Sequence, residues 1–340
     1  MIALTHLAFT WVGYPAWLAV LSLGKPKPTL TPTPTPTPSP VATRIAIIVV
    51  VHNEAANIAR RVAELEALHL PAGCALEIIV VDDGSDDDTV ARIAITRGEV
   101  LRITHAGKAM GLMRGVERTN ADVLVFADVR QQIPADALVH LLAPFGDPAI
   151  GCVSGVVHKP ATGPAGWYWR YESWLRRMES RTGSTIGATG PWYAIRRELF
   201  VPPPRGLLLD DVWIPMQAAF AGARVVVAED AIVFDVEHAA TTEGQKKART
   251  LTGNLQLLST WPALLNPRKN PLWGRYVAHK VARLFTPFSV AALANGPLAP
   301  VTAVVVAAAA FEVGPARSAV QMYLASLEAW RRWLRRDYRW

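Results

Sequence analysis

The sequence predicts an α/β fold in which a mostly parallel β-sheet carries helices on both faces. Continuous apolar runs rich in β-branched residues, RIAIIVVV at 44–51 and LEIIVVDD at 76–83, are typical of strands buried on both faces. Segments with helical spacing separate these runs, and strands that alternate with helices favour parallel pairing. The 340 residues are sufficient for one such domain together with flanking segments.

The elements of the sheet follow one another from residue 43 onward. We expect Asn53 to cap the first helix, because an N-cap oxygen accepts a hydrogen bond from an otherwise free backbone N–H. Ligands of such sheets bind outside the carboxyl ends of the strands, so functional residues are expected in the loops that follow the strands. The predicted strands are 44–51, 76–83, 100–103 and 122–128, and the predicted helices are 54–68, 86–95 and 108–119.

The N-terminal segment 1–24 contains no Lys, Arg, Asp or Glu. About 20 apolar residues allow a helix to cross a bilayer, and the segment lacks the positive start and the cleavage site of a signal peptide. We therefore expect an uncleaved membrane anchor. Lys25 and Lys27 follow it, and by the positive-inside rule they place the rest of the chain in the cytoplasm, at a bacterial inner or plasma membrane.

Two further segments flank the predicted domain of residues 43–265. Residues 25–42 are rich in Pro and Thr, cannot form a packed core and are predicted to be an extended linker. Within 266–340, an uncharged stretch at 284–311 is interrupted by prolines and has basic residues on both sides. A single crossing would leave one basic cluster on the wrong side, so we expect a re-entrant or interfacial, membrane-associated region.

Two aromatic patterns have more than one interpretation. The end of the chain carries six apolar side chains on one helical face and arginines toward the other, which favours a membrane-surface helix over an ordinary core helix. The run Trp167–Tyr171 with Trp174 fits a carbohydrate platform, a membrane-surface helix or, slightly better, a packed helix interface. The six apolar residues are Val320, Tyr323, Leu324, Leu327, Trp330 and Leu334.

The composition excludes several classes of site. The two cysteines, Cys74 and Cys152, do not form a C-x-x-C pair, which argues against a disulfide framework or a zinc knuckle. No G-x-G-x-x-G follows the first strand and no P-loop motif occurs, so a dinucleotide fold or P-loop enzyme is disfavoured. The net charge of +7 fits nucleic acid, an anionic membrane or an anionic substrate and does not choose among them.

Acidic residues occur at the ends of several predicted elements. Taken singly, each has a structural interpretation as a helix cap, a turn or a complement to the helix dipole. Together they gather carboxylates at one edge of a parallel sheet, which is costly unless a cation or hydrogen-bond donors compensate. Mg²⁺ binds through one or two carboxylates plus substrate phosphates, and Lys108 is positioned to meet a phosphate. The acids are Glu54, Asp82, Asp83, Asp128, Asp210 and Asp211.

Six motifs, in order over roughly residues 43–265, resemble the family 2 glycosyltransferases with the GT-A (nucleotide-diphospho-sugar transferase) fold. These are inverting enzymes that include the cellulose, chitin and hyaluronan synthases, and the hydrophobic flanks resemble their membrane-attached members. The motifs are IIVVVHNEAANI, IIVVDDGSDDDT, AGKAMGLMRG, VLVFADVRQQIPADAL, GATGPWYAIRRELF and LLLDDVWIPMQAAFAGARVVVAEDA.

The resemblance implies a role for each matching residue. Glu54, Asp82 and Asp83 correspond to the positions that hold the nucleoside, usually uridine, and Lys108 to a basic residue near the nucleotide. Asp128 corresponds to the first acid of the D-x-D motif, which binds Mg²⁺ or Mn²⁺.

The resemblance also implies the acceptor side and the catalytic base. Asp211 corresponds to the base in the acid pair that it forms with Asp210. The acceptor-side loop is Gly187 to Trp192, with Gly187, Thr189 and Gly190 in its backbone and Trp192 placed to stack on a sugar.

The implied reaction is transfer of a sugar from a nucleotide sugar, expected to be a UDP-sugar, to an acceptor hydroxyl with inversion. The expected partners are a carbohydrate or lipid-linked acceptor and a membrane, without nucleic acid, in cell-surface polysaccharide or glycolipid synthesis. Two departures stand out. Arg130 replaces the second acid of D-x-D, and GQKKARTLTGN differs from the Q-x-x-R-W of processive synthases, although Arg249 remains as a diphosphate-binding candidate.

Two alternatives stay open on the sequence alone. A nucleotidyltransferase uses a related sheet with acids at strand ends, but it normally has a glycine-rich loop after the first strand, which VVHNEAAN lacks. A catalytically impaired, membrane-tethered nucleotide-binding scaffold would explain Arg130 and the altered Q-x-x-R-W. The intact acid pairs at 82–83 and 210–211 argue against that scaffold.

Overall fold

The computed structural model describes residues 1–25, 43–159, 163–235, 240–296, 299–300 and 314–337, so most of the predicted linker lies outside the described residues. The chain divides into two compact units. The sheet unit comprises residues 26–158 and 183–236, and the helical unit comprises residues 1–25, 159–182 and 237–340. The predicted domain of 43–265 therefore spans residues of both units.

The sheet unit is built on seven strands in the order β3-β2-β1-β4-β6-β5-β7, in which β6 alone runs antiparallel to its neighbours. The strands are β1 (Thr43–Val51), β2 (Cys74–Asp83), β3 (Gly98–Ile103), β4 (Val123–Ala127), β5 (Ile150–His158), β6 (Trp192–Arg196) and β7 (Arg224–Phe234). The α-helices of this unit are α2 (Ile58–Glu66), α3 (Lys108–Glu117), α4 (Ala137–Leu142) and α6 (Asp210–Phe220). The predicted α/β class with a mostly parallel sheet is confirmed.

Strand β1 lies in the middle of the parallel part of the sheet. Its side chains from Ile45 to Val49 are completely buried, because an apolar, β-branched strand is stable where both faces are covered. It pairs in parallel with β2 on one side and with β4 on the other. The carboxyl ends of these three strands therefore meet at one edge, which we call the ligand edge.

Two local predictions are wrong. The segment 86–95 forms only a short 3-10 turn, Val90–Arg92, and not an α-helix. Asn53 is not a helix cap: α2 starts at Ile58 after Asn57, and Asn53 adopts a left-handed backbone with φ of 54°. Its side-chain oxygen accepts a hydrogen bond from the backbone N–H of Asp86 at 3.0 Å, which ties two loops of the ligand edge together.

The helical unit contains a first helix, α1, that runs over Ile2–Ser22 with a π-helical turn at Phe9–Gly13. Among the described residues, α1 is the helix whose length and composition would allow it to cross a membrane. The other α-helices of the unit are α5 (Gly163–Arg181), α7 (Ala240–Thr260), α8 (Trp273–Tyr276, continued through a π-helical turn to Leu284), α9 (Thr286–Ala294) and α10 (Gly314–Leu334).

Three aromatic residues of α5 pack inside the helical unit, as the packed-interface interpretation predicts. Tyr171 and Trp174 pack against a buried cluster formed with α1, and Tyr168 packs against a second cluster formed by α7 and α10. The predicted helix at the end of the chain is confirmed as α10. Residues 301–313 lie outside the described part of the chain, so the expected re-entrant arrangement stays a prediction.

Candidate active site

Lys108 lies where three sequence-predicted residues meet. Its Nζ donates a hydrogen bond to Asp128 Oδ1 at 2.9 Å and lies 3.5 Å from Asp210 Oδ2. Lys108 is the first residue of α3, and Gly107 before it has a φ of 88°, a conformation that favours glycine and turns the chain into the helix. The strand-end loops therefore bring a cation between two carboxylates.

The charge of Lys108 is strongly stabilised. Burial by itself would lower the pKa of the ammonium group, but the carboxylates of Asp128, Asp210 and Asp211 outweigh that effect and raise it above its ordinary value. Lys108 is therefore cationic throughout the physiological pH range. Its side chain is still 32% exposed, so a ligand can approach it.

Asp211 lies beside the predicted acceptor-side loop. The backbone N–H of Ala188 donates a hydrogen bond to the Asp211 carbonyl at 2.8 Å. A Cβ atom on Gly190 would lie 3.3 Å from Asp211 Oδ2, so a larger residue there would crowd the carboxylate. At its other end the loop accepts a hydrogen bond, from Asp128 N–H to the Pro191 carbonyl at 3.1 Å. The acceptor-side loop is thus hydrogen-bonded to the backbone of both Asp211 and Asp128.

The expected role of Trp192 does not fit its position. The side chain is fully buried, so it has no exposed ring face for a sugar, because β6 places it in the interior of the sheet unit next to Gly155. Thr189 is also buried, and its backbone N–H donates to Ser154 Oγ at 2.8 Å. Trp192 and Thr189 therefore anchor the loop in the interior of the sheet unit, whereas Gly187 and Gly190 lie next to Asp211.

Asp82 and Asp83 are both buried at the end of β2 but have different environments. Asp83 accepts hydrogen bonds from the backbone N–H groups of Ala106 and Gly107 at 2.7 and 2.9 Å, so it holds the loop before Lys108. Asp82 Oδ2 accepts no hydrogen bond among the described residues and lies 3.5 Å from Arg102 Nε. A buried carboxylate oxygen without a hydrogen bond fits a donor supplied by a ligand.

Two histidines that the sequence reasoning missed flank Asp83. The ring centroids of His52 and His105 are 4.4 Å apart, and each Nδ1 lies within 3.0 Å of the Asp83 carbonyl oxygen. A carbonyl oxygen only accepts, so Nδ1–H is the donor in both of these hydrogen bonds. Both rings are exposed at the ligand edge. The feature of the sequence that could have identified them is their position within two residues of the ends of β1 and β3.

Arg130 forms an ion pair with Glu54. Arg130 Nε donates to Glu54 Oε1 at 2.7 Å, which places the replaced D-x-D position next to a predicted nucleoside-binding residue. Asp128, which also accepts a hydrogen bond from Lys108, is then the acid of this motif that would hold a metal ion. No group of three or more His, Cys, Asp or Glu side chains suited to a metal occurs among the described residues. A single carboxylate fits Mg²⁺ or Mn²⁺ only where phosphates and water supply the other ligands.

The loop after β4 is held by two arginines that the sequence reasoning also missed. Arg61 is fully buried and donates to the carbonyls of Val129 and Gln131. Arg60 donates to the Arg130 carbonyl at 2.9 Å. The feature of the sequence that could have identified them is two adjacent arginines in a helix otherwise rich in apolar residues.

Arg249 belongs to the helical unit, where it lies exposed on α7. Its neighbour Lys247 is buried: Lys247 Nζ lies 5.0 Å from the centre of the Tyr168 ring and 3.5 Å from Gln321 Oε1. Lys247 therefore packs inside the helical unit, although it lies in the same basic segment as Arg249. The role of Arg249 stays a prediction.

The chain is similar to several solved structures with bound nucleotides. The mannosyltransferase PcManGT from Pyrobaculum calidifontis, in complex with GDP-Man and Mn²⁺, is 23% identical over 98% of both chains, with a TM-score of 0.76. Glucosyl-3-phosphoglycerate synthase from Mycobacterium tuberculosis, with Mn²⁺, UDP and phosphoglyceric acid, is 19% identical over 64% of this chain and 78% of the other, with a TM-score of 0.46. The first similarity establishes a shared fold.

Mannosyl-3-phosphoglycerate synthase from Rubrobacter xylanophilus is 17% identical over 64% of this chain and 75% of the other, with a TM-score of 0.43. No curated protein sequence matches the chain. Residues 46–201 match the family described as Glycosyl transferase family 2. This segment runs from within β1 through β6 and contains Glu54, Lys108 and Asp128. This part of the chain, just under half of its residues, is therefore similar to a family 2 glycosyltransferase domain, and the chain shares its fold with PcManGT.

Proposed function

We propose that this enzyme transfers a sugar from a nucleoside-diphosphate sugar to an acceptor hydroxyl with inversion at the anomeric carbon. The observation that carries the proposal is the contact of Lys108 with both Asp128 and Asp210 at the ligand edge, directly beside Asp211. A fixed cation among strand-end carboxylates suits a substrate that combines a diphosphate with sugar hydroxyls.

Asp211 is proposed to act as the base. It takes the proton of the acceptor hydroxyl while that oxygen attacks the anomeric carbon from the face opposite the leaving group. The bond between the anomeric carbon and the diphosphate oxygen breaks, and the nucleoside diphosphate leaves with the electron pair. Gly190 leaves space beside the Asp211 carboxylate for the acceptor, since a Cβ there would lie 3.3 Å from Oδ2.

Lys108 and Asp128 are proposed to serve the diphosphate. Lys108 offsets the negative charge that develops on the leaving group, and Asp128 is the residue that would hold Mg²⁺ or Mn²⁺. The metal, when bound, supplies further charge stabilisation on the diphosphate oxygens. The Mn²⁺ in the PcManGT complex supports this assignment.

The donor is proposed to be a uridine- or guanosine-diphosphate sugar. The resemblance of the motifs favours UDP, whereas the PcManGT structure contains GDP-Man. Asp82 Oδ2, buried and without a hydrogen bond in the described part of the chain, is the proposed acceptor for an N–H group of the base.

The acceptor is proposed to be a membrane-associated glycan or lipid, with the helical unit at the membrane surface. The exposed side chains Leu324, Leu327 and Leu334 on α10 lie along a helix that ends with exposed arginines, including Arg331 and Arg335. Apolar and basic residues together favour an anionic bilayer surface. Flotation with phosphatidylglycerol vesicles tests this: the chain should float with anionic vesicles, and failure to float would contradict the membrane role.

The test of the catalytic proposal is Asp211→Asn. We expect this variant to bind nucleoside diphosphate like the wild type but to release it from a sugar nucleotide at least about 100-fold more slowly, because the base is lost. Release is measured with UDP- and GDP-sugars, and calorimetry measures nucleotide binding. Asp230→Asn, which changes an exposed acid on β7, is the matched control. An unchanged rate in Asp211→Asn would remove Asp211 as the base.

A further inference from the structure

We propose that Arg130 is a phosphate-binding residue that holds the diphosphate of the donor in place of a second metal-binding carboxylate. The inference rests on the proposed function, because it assigns part of the donor to the same site. Arg130 stands two residues after Asp128, where the family resemblance leads us to expect an acid. The structure offers a reason for the exchange.

Most of the hydrogen-bonding capacity of Arg130 is unused. A guanidinium group has five N–H donors, and in Arg130 one of them, Nε–H, donates to Glu54 Oε1 at 2.7 Å. The Nη1 and Nη2 groups have no hydrogen-bond partner among the described residues, and the side chain is 58% exposed. Two amino groups in one plane match two oxygens of a phosphate.

Contacts to Glu54 and to the backbone of Arg130 hold the guanidinium in place. Glu54, its partner, accepts a second hydrogen bond from Asn57 Nδ2 at 2.8 Å, and the backbone N–H of Glu54 donates to Thr89 Oγ1 at 2.8 Å. The backbone of Arg130 is held by Arg60, whose Nη2 donates to the Arg130 carbonyl at 2.9 Å. A group that is positioned before the ligand arrives loses less entropy on binding.

The ion pair lies at the ligand edge. Glu54 follows β1 and Arg130 follows β4, and these strands are paired in parallel up to Val49 and Ala127. The ion pair therefore joins the ends of two neighbouring strands. Arg130 lies on the same loop as Asp128. A diphosphate held by Asp128-bound metal and by Lys108 would lie within this part of the site.

The charges explain why an arginine suits this position. A second carboxylate would add negative charge next to Asp128 and Glu54, which only a bound metal would offset. Arg130 instead offsets the charge of Glu54 and keeps its Nη1 and Nη2 groups as charge-assisted donors for a phosphate. Diphosphate binding in this enzyme should therefore depend partly on Arg130 and less on the metal than in a site with two metal-binding acids.

The experiment is calorimetric titration of UDP, GDP, uridine and guanosine, each with Mn²⁺ and with EDTA. We expect Arg130→Gln to bind the preferred nucleoside diphosphate about 10- to 100-fold more weakly and the nucleoside equally well, since a charge-assisted hydrogen bond to phosphate is lost. Arg130→Asp, which restores D-x-D, should bind the nucleoside diphosphate with Mn²⁺ and lose it with EDTA, whereas the wild type retains part of its affinity in EDTA.

Arg118→Gln is the matched control. Arg118 Nε donates to Glu99 at 2.7 Å and its side chain is 53% exposed, which matches the Nε contact and the exposure of Arg130, although Arg118 Nη2 also donates to Glu99. Glu99 lies near the start of β3, away from the ligand edge, so this variant should bind all four ligands like the wild type.

The outcomes separate two failures. If the wild type binds neither UDP nor GDP, the proposed function fails. If it binds one of them, but Arg130→Gln leaves that affinity unchanged or weakens nucleoside and nucleoside diphosphate equally, the function stands and Arg130 is only a structural partner of Glu54. Selective loss of diphosphate affinity supports the proposal.

Discussion

Arginine residues of the sheet unit have different roles according to their burial. Arg118 is exposed in a surface ion pair, where solvent weakens the interaction. Arg130 is partly exposed and has N–H donors that a ligand can use. Arg61 is fully buried and donates to backbone carbonyls and to Glu64. The same side chain is thus a surface group, a binding group or a structural group, depending on its neighbours.

Arg61→Leu should destabilise the sheet unit by about 3 kcal/mol, because the carbonyls of Val129 and Gln131 lose buried hydrogen-bond donors. Burial, the largest effect, lowers the pKa of Arg61 to about 10, so the group remains charged at neutral pH, and its loss also leaves Glu64 with one arginine partner instead of two. Urea unfolding measures the change.

Arg114→Leu is the control for that prediction. Arg114 pairs with Glu117 at 2.9 Å with the same three-residue spacing as Arg61 and Glu64, but both side chains are half exposed. The control should change the free energy of unfolding by less than about 0.5 kcal/mol. Equal effects of the two variants would mean that the buried contacts to the loop do not contribute.

At the scale of elements, polar side chains decide where helices form. The segment 86–95 has helical spacing, yet Asp87 accepts a hydrogen bond from the backbone N–H of Thr89, and Thr89 Oγ1 accepts one from Glu54 N–H. Asp and Thr side chains that bond to the backbone compete with a helix. The segment therefore becomes a turn that supports Glu54.

Helices α5 and α8 are joined by a buried charged network. His279 lies between two carboxylates, with Nδ1 at 2.7 Å from Glu179 and Nε2 at 3.2 Å from Glu172. Glu172 also pairs with Arg283. Burial by itself would raise the pKa of Glu172, but the charges of Arg283 and His279 outweigh it and hold the pKa well below its ordinary value.

Glu172→Gln should therefore destabilise the helical unit by about 3 kcal/mol at neutral pH, since it leaves Arg283 buried without its partner. A carboxylate with a lowered pKa stabilises the fold above the ordinary value of 4.5, and this contribution is lost as the pH falls through the folded-state pKa. The difference between wild type and variant in thermal unfolding should shrink below about pH 4.5.

The control for the network is Glu117→Gln, which removes a half-exposed ion pair with Arg114. It should change the stability by less than about 0.5 kcal/mol. A difference between wild type and Glu172→Gln that stays constant down to pH 2 would contradict the charged state assigned to Glu172.

At the scale of the whole molecule, α1 is more than a detachable segment. Tyr14 and Leu18 are buried against Leu175, Met178 and Ala278, and the Tyr14 hydroxyl donates to Glu179 at 2.7 Å. A cleaved signal peptide would not be part of a packed core. α1 therefore contributes to the folded helical unit whether or not it also contacts a membrane.

Leu18→Ala should lower the stability of the helical unit by about 2–5 kcal/mol, because a fully buried leucine leaves a cavity. Val20→Ala, on the same helix but mostly exposed, should change it by less than about 0.5 kcal/mol. Thermal unfolding of the purified protein distinguishes them. Equal stabilities would show that α1 does not belong to the core.

The sequence by itself determined the class of the fold and the edge that carries the candidate site. Continuous runs of apolar residues identify β1, β2 and β4, because strands that are buried on both faces are apolar at successive positions. Parallel pairing then aligns their carboxyl ends, so Glu54, Asp82 and Asp128 are found at one edge as predicted.

Only the tertiary structure decided which groups face each other. Trp192 is buried rather than exposed, Lys247 packs on Tyr168, and Arg130 bonds to Glu54 across two loops. Such contacts join residues far apart in the chain and depend on distances of a few ångströms. Local pattern does not contain those distances, whereas the periodicity of a strand reflects only the burial of its two faces.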